Sequence, residues 1–353
     1  MRRSIFFPTA VLVFSLGQTS HCPAQEVRAM EDVKGLPKRI AFGSCAHQDH
    51  EQPILREVVA VGPEIFVYLG DNIYGDTLDM GVLQAKYDKL AGKGEFQDLR
   101  AKVAVTATWD DHDYGTNDAG KEFPMKEDSR RIFLDFWKVP KTSPRRTRPG
   151  IYGFHEYREG DRAIQLILLD TRFFRDPLKR KTGPPWKNDY EPDPDSGKTF
   201  LGEDQWKWLE GKLSQPADVR IIATSIQFSH EYNGYESWTN LPVERQKMAD
   251  LIRKTRANGV VFISGDVHWG EISRLPVEKG YPLFDVTSSG LTEDWETVEP
   301  NENRVGPAIR ANNFGMIEID WTKEDPEIAL GVHAIGGKEK NRHAIRLSEL
   351  RHP

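Results

Sequence analysis

Short continuous apolar runs recur along this chain, and several stop abruptly at polar residues. They fall at Ile40–Gly43, Ile65–Leu69, Val103–Thr108, Ala163–Leu169, Arg220–Ser225, Val260–Ser264, Leu283–Thr287, Phe314–Ile319 and Ile328–Ile335. Runs without polar alternation suit strands covered on both faces. Between them the apolar positions take helical spacing, at Pro53–Val61, Gly81–Leu90, Ser129–Trp137, Gln205–Leu213 and Val243–Ala257. Strand and helix patterns that alternate predict α/β architecture. The last strands follow one another without helices, which favours a mixed two-sheet sandwich flanked by helices over one doubly wound sheet. No internal repeat interrupts the pattern. The stretch from Lys179 to Gly197 is rich in Pro, Lys and Asp. A loop of that length inside a compact domain is usually functional or disordered, and it is expected beside the site as a mobile flap.

What ends the strands carries the chemistry. Ile65–Leu69 runs into Gly70-Asp71-Asn72-Ile73-Tyr74. Val103–Thr108 runs into Trp109-Asp110-Asp111-His112-Asp113. Val260–Ser264 runs into Gly265-Asp266-Val267-His268, and the first strand into Gly43-Ser44-Cys45. Asp71 at a strand end can bridge two cations, one per oxygen, where an isolated Asp would be a turn or helix cap. A phenol ionises only near pH 10, so Tyr74 as a ligand calls for a strong Lewis acid such as ferric iron. Cys45 reads either as a small buried apolar residue or as a thiolate ligand. Asp76 offers a further oxygen. Three carboxylates within four residues, at Asp110, Asp111 and Asp113, are tolerated among cations. His112 among them is a ligand or a general acid, and Asn117 is placed to hydrogen-bond a phosphate oxygen. Asp266 and His268 face the same side if strand geometry persists. Arg172, in Leu169-Asp170-Thr171-Arg172, is fitted to hold two phosphate oxygens at once. Arg175 is the reserve, unless it forms a surface pair with Asp176. Oxygen, nitrogen and sulfur donors in this order point to metal-assisted hydrolysis of a phosphate ester.

Rival chemistries find less support. Ser44, Cys45 and His47 lie close in sequence, but His47 has no evident orienting partner, and no Gly-x-Ser-x-Gly elbow occurs. A Gly-x-x-x-x-Gly-Lys-Ser/Thr phosphate loop is also missing.

The bulk numbers narrow the setting. The 353 residues carry a formal charge of -6, which argues against a nucleic-acid polymer as partner. Arg2 and Arg3, the apolar stretch Ile5–Leu16 and the small residues around Cys22-Pro23-Ala24 predict a signal peptide over residues 1–24, too short to be a transmembrane anchor. His21 before Cys22 argues against a lipoprotein. Residues 25–38 are then a short linker and 39–353 one catalytic domain. Export leaves Cys45 as the sole thiol, since Cys22 is the only other cysteine.

The five strand-end motifs, taken together and in this order, resemble the alkaline phosphatase D (PhoD-like) family of the metallophosphoesterases, over residues 39–320. The resemblance implies a four-layer α/β/β/α sandwich with mixed sheets. It implies Fe3+ at Cys45, Asp71 and Tyr74, with Ca2+ at nearby carboxylates. Asp111 and His112 stand where the superfamily has Asn-His. Asp266 and His268 stand in its last Gly-His-x-His motif, with Asp266 replacing the first His. Such oxygen-rich replacements favour calcium. The family commonly carries an N-terminal β-sandwich domain and a long C-terminal segment that shapes the pocket. Neither is evident here, so the pocket is expected to be more open. The implied function is an exported phosphomonoesterase, periplasmic or extracellular, acting on a small phosphate ester through a metal-activated water. The alternatives are a phosphodiesterase or phospholipase D-like enzyme and a catalytically silent metal- or phosphate-binding protein. No oligomeric state is implied.

Overall fold

A computed structural model describes residues 27–182 and 189–352. The expected signal peptide lies outside the described residues, as does the centre of the 179–197 loop, residues 183–188. Two mixed sheets face one another. The first, of six strands, is ordered β13-β12-β11-β1-β2-β3, and the second, of seven, β10-β8-β9-β7-β6-β5-β4. The strands are β1 (Arg39–Gly43), β2 (Ile65–Leu69), β3 (Ala104–Thr108), β4 (Gly153–Glu159), β5 (Arg162–Leu168), β6 (Val219–Ala223), β7 (Val260–Ser264), β8 (Gly270–Leu275), β9 (Leu283–Ser288), β10 (Arg304–Ile309), β11 (Asn313–Asp320), β12 (Glu327–Ala334) and β13 (Lys338–Arg346). The helices are α1 (Ile54–Val61), α2 (Met80–Ala91), α3 (Gly94–Lys102), α4 (Asp111–Tyr114), α5 (Lys126–Phe136), α6 (Gly202–Leu213) and α7 (Pro242–Lys254).

Side-chain alternation along each strand explains the layers. In β1 and β2, Ile40, Phe42, Ile65, Val67 and Leu69 enter the core between the sheets, with Leu166, Ile221 and Val261 of the second sheet. Their neighbours Ala41, Phe66 and Tyr68 point the other way, against Leu55 and Val58 of α1, Tyr87 and Leu90 of α2, and Phe96 of α3. Helices α6 and α7 bring Trp206, Leu209, Met248 and Ile252 to the second sheet. Both faces of each central strand are covered, hence the continuous apolar runs. The result is the expected four-layer α/β/β/α sandwich with mixed sheets. The described part of segment 25–38 lies on this core through Met30, Val33 and Leu36. No helix among the described residues is long and apolar enough to cross a membrane.

The parallel strands β1, β2 and β3 run side by side, as do β5, β6, β7 and β9. Parallel strands share one carboxyl end, so the polar residues that follow them collect in one place. Gly70 makes this possible for the first sheet. Its φ is +109°, and a Cβ there would lie 2.4 Å from the Cβ of Asp110.

Candidate metal centre

Among the described residues, six of the nine non-glycine residues with positive φ belong to this one region: Cys45, Asp71, Asp76, Asp118, Asp266 and His268. Left-handed backbone at such residues costs energy and concentrates at functional sites. The strand geometry expected to carry Asp266 and His268 onto one face does not persist. After Ser264 the chain turns through φ values of +76° and +62° at these residues, and that turn brings both into the cleft. Gly265 is required there, because a Cβ would meet Ser44 Oγ at 2.2 Å.

Asp71 stands at the centre. Donor atoms of Cys45, Asp71 and His268 lie within 4.8 Å of one another, as do those of Asp71, Asp110, Asp111 and Asp266, and those of Asp71, Asp111 and His112. Asp71 belongs to three of the four such groups found among the described residues. The Cys45 thiol donates to Asp71 Oδ2 at 3.3 Å, and Tyr74 OH lies 3.2 Å from His268 Nε2. Asp71 Oδ1, Asp110 Oδ2 and Asp111 Oδ1 are buried without hydrogen-bond partners. Burial first, then the Cys45 thiolate, pushes the Asp71 carboxyl well above its usual range. Burial, then Asp110 and Asp111, does the same to Asp266. Burial pushes the Cys45 thiol up to about 12. Buried carboxylates with open lone pairs, beside a thiol and an imidazole, fit cations of mixed hardness. On donor set and unmet valence, these residues fit metal ions.

A one-turn helix shapes the Asp-Asp-His-Asp segment. Asp113 turns away from the cleft and ties the two ligand turns together. It accepts from the N–H of Asp71 at 3.1 Å and of Asp110 at 2.7 Å, from Asn72 at 2.6 Å and from Tyr87 OH at 3.0 Å. His112 lines the cleft, with Nδ1 2.8 Å from both oxygens of Asp76. Asp76 therefore orients His112. Burial alone would lower the His112 pKa, but Asp111, Asp71 and Asp76 push it up to about 11. Asn117 also lines the cleft, and its N–H donates to Asp76 Oδ1 at 3.0 Å.

Arg172 does not line the cleft. It is fully buried, with Nε donating to Asp110 Oδ1 at 2.5 Å, Nη2 3.8 Å from Asp111 and Nη1 closed on Glu236. The guanidinium is engaged by carboxylates on the inner side of the ligand layer, so the expected open fork for phosphate has no free face in this geometry. Arg175 is 2% exposed and pairs with Glu236 at 3.2 Å. It is not a surface residue, and Asp176 pairs with Lys121 instead. The Ser44 hydroxyl faces Cys45 Sγ, the Ser288 carbonyl and the Asp266 N–H. With no histidine among these partners, a serine nucleophile gains no support.

The cleft, about 390 Å3, is lined by Asp71, Asp111, His112, Asn117, Asp118, Asp189, Tyr190, Tyr235, Glu236, Asp266, Val267, His268 and Trp295. Sequence reasoning missed Asp118, Glu236 and the aromatic rim. Asp118 adjoins Asn117 and was within reach of the motif; Glu236, Tyr235 and Trp295 lie in irregular segments without periodicity. Arg180 and Tyr190, at the base of the 179–197 loop, form an antiparallel bridge beside the cleft. A larger depression of about 480 Å3 at Lys38, Arg39, Glu318 and Arg342 lies away from these donors, and its charges pair with one another.

The sequence profile of the PhoD-like phosphatases matches residues 40–324. Alkaline phosphatase D of Bacillus subtilis (strain 168) is 25% identical over 324 residues, covering 81% of this chain and 53% of its own length. The chain thus spans about half the length of that relative. Among solved structures, one described as the structure of PhoD has a TM-score of 0.67 at 18% identity, covering 88% of this chain and 69% of its own. GAP50, the anchor in the inner membrane complex of Plasmodium, gives 0.56 at 13% identity, covering 88% and 89%. A dimetal phosphatase from Danio rerio gives 0.55 at 12%, covering 90% and 100%. These structures share the fold.

Proposed function

The chain belongs to the PhoD-like phosphatase family, and from that premise we propose that its acidic cleft hydrolyses small phosphate esters, phosphomonoesters in particular. The observation that carries the reading is the convergence of Asp71, Asp110, Asp111 and Asp266 within 4.8 Å, three of them with buried, unpartnered oxygens. We assign Fe3+ to Cys45, Asp71 and Tyr74, with His268 alongside, and Ca2+ to Asp110, Asp111 and Asp266, with Asp71 shared. Such ions supply Lewis acidity at the phosphoryl oxygens and a nucleophilic water at neutral pH.

The chain's own residues complete the reaction. Asp76 holds His112 by Nδ1, which leaves Nε2 to protonate the leaving oxygen. Asn117 donates its side-chain amide to a phosphate oxygen. Arg172 acts through Asp110 and Asp111, holding their carboxylates where the cations need them. Export, by way of residues 1–24, is part of the same proposal.

The test compares p-nitrophenyl phosphate with bis(p-nitrophenyl) phosphate at matched concentration, with iron- and calcium-loaded protein. Faster monoester turnover is expected. Turnover of the diester alone would make the chain a phosphodiesterase. No turnover of either by loaded protein would leave a metal- or phosphate-binding role.

A further inference from the structure

The cleft has two unlike halves. Its floor is made of carboxylates, His112 and His268. Its rim carries Tyr190, Tyr235 and Trp295. Trp295 and Tyr235 meet edge to face, with ring centroids 5.2 Å apart at 67°. Trp295 also stands edge to face on His268, centroids 5.2 Å apart at 77°. The aromatic pair therefore begins one ring's distance from an imidazole of the metal centre. Both rings are only half-buried, although their apolar faces would be better covered. Edge-to-face packing leaves part of each ring face open to a third ring.

The pair is held in place from both sides. The Tyr235 N–H donates to Asn233 Oδ1 at 2.8 Å, Asn233 donates to Gln227 at 2.8 Å, and Gln227 donates to the buried Glu271 at 2.7 Å. On the Trp295 side, Leu291 and Thr292 donate their N–H groups to the carbonyls of Ser44 and Cys45 at 3.1 and 3.0 Å. The same segments that hold the metal ligands thus set the platform. A preformed aromatic surface binds without an ordering cost. The other lining residues are largely acidic, and among the described ones no Lys or Arg lines the cleft. Among the described residues, the Tyr190 side of the rim carries Arg180, which lies over that ring at 5.1 Å and pairs with Asp189 at 3.1 Å, while the Tyr235 and Trp295 side offers ring face.

We propose that Trp295 and Tyr235 form a stacking subsite for the alcohol part of the substrate, which carries a flat heterocycle, as in a nucleoside monophosphate. Phosphate sits over the carboxylate floor while the base lies on the rim. This rests on the phosphate-ester reading above and names the substrate class for it. Base stacking tolerates different bases, because each presents a π-face, so a preference for ring over no ring is expected, with weak choice among bases.

The experiment compares AMP with methyl ribofuranoside 5-phosphate. Both break the same primary phosphate ester, and only one has a base. With metal-loaded protein, kcat/KM is expected to favour AMP by on the order of five- to a hundredfold, the range one stacked base supplies. Trp295→Leu and Tyr235→Leu should each draw that ratio towards one, Trp295→Phe should restore much of it, and Tyr235→Phe should keep it. A wild-type ratio near one overturns the proposal. So does a ratio that survives Trp295→Leu, with both substrates slowed alike. A gain for phosphocholine without one for AMP would make the rim a cation cage and also overturns it. If neither ester is hydrolysed, the phosphatase reading fails by itself. Calorimetric titration with the same two ligands then decides the subsite: tighter AMP binding, lost in Trp295→Leu, supports it, and equal binding overturns it.

Discussion

Replacing Arg172 with methionine takes away a fully buried guanidinium that faces three carboxylates. The methionine fills much of the same volume, so the loss is chiefly one of charge. Asp110 keeps the Ser225 hydroxyl at 2.7 Å, Asp111 keeps the Asp118 N–H at 2.7 Å, and Glu236 keeps Arg175 at 3.2 Å. These partners soften the change without replacing the positive charge. Removing one member of a buried ion pair typically costs about 3–5 kcal/mol. We expect the chelated protein to lose that much unfolding free energy in urea near pH 8. Chelation matters, because bound cations would stand in for the missing charge. Burial, opposed by Arg172 and Arg175, pushes the Glu236 carboxyl up to about 8, and burial pushes Asp110 up to about 6. Acids with a raised folded-state pKa destabilise the fold when ionised and cease to do so once protonated. The deficit should therefore narrow as the pH falls through about 8 to about 6, where the variant protonates acids that wild type still holds ionised, and change little from these two groups between about 6 and about 5. A deficit below about 1 kcal/mol, joined to a large loss of affinity for inorganic phosphate in loaded protein, would refute this reasoning. It would place the guanidinium on the substrate, as the sequence suggests.

Tyr74→Phe should bleach or shift a visible charge-transfer band in iron-loaded protein and lower turnover; wild type purified from iron-replete medium without iron would exclude the ferric assignment. Asp76→Asn should lower kcat about ten- to a hundredfold by freeing His112 Nδ1, with a larger effect on alkyl phosphates than on p-nitrophenyl phosphate, whose leaving group needs no proton. His155, with Nε2 3.2 Å from Thr106 Oγ1, has its pKa lowered by burial and by Arg145 from 6.5 to about 4. A depressed histidine favours the fold above its unfolded pKa, and that benefit is lost as pH falls from about 6.5 to about 4. His155 as a residue is part-buried, so the loss should be about 2 kcal/mol, and urea melts of His155→Gln should show a flatter pH dependence; parallel curves for both proteins would rule the residue out as the acid-sensitive group.

Much of this arrangement is legible in the chain because of how the sheets are covered. Strands β2 and β7 are buried on both faces, so they appear as unbroken apolar runs, and their ends mark the site directly. Strands β4 and β13 lie at sheet edges with much of one face in water. Lys338–Arg346 is almost wholly polar and carries no strand signal. Helix α3, Gly94–Lys102, buries only Phe96 and Leu99, too few to show a period. The same logic divides the site. Cys45, Asp71, Tyr74, Asp110 and Asp111 follow strands of the first sheet, so register gathers them, and left-handed backbone at Cys45 and Asp71 completes the placement. Asp266 and His268 arrive by left-handed turns that no side-chain pattern encodes. Glu236 and Trp295 come from irregular segments, fixed by contacts distant in sequence. Arg172 shows the limit of residue type as a guide. An arginine at a strand end suggests phosphate, but its place behind Asp110 is set by how far the chain continues before turning.

The most direct test of the metal-dependent hydrolase reading is p-nitrophenyl phosphate turnover by one protein sample as its metals are stripped, counted by elemental analysis and restored. The account predicts that turnover falls with metal content and returns on reloading with iron and calcium, while the Asp71→Asn variant neither retains the metals nor recovers activity. Full turnover in protein shown to be free of metal would contradict it.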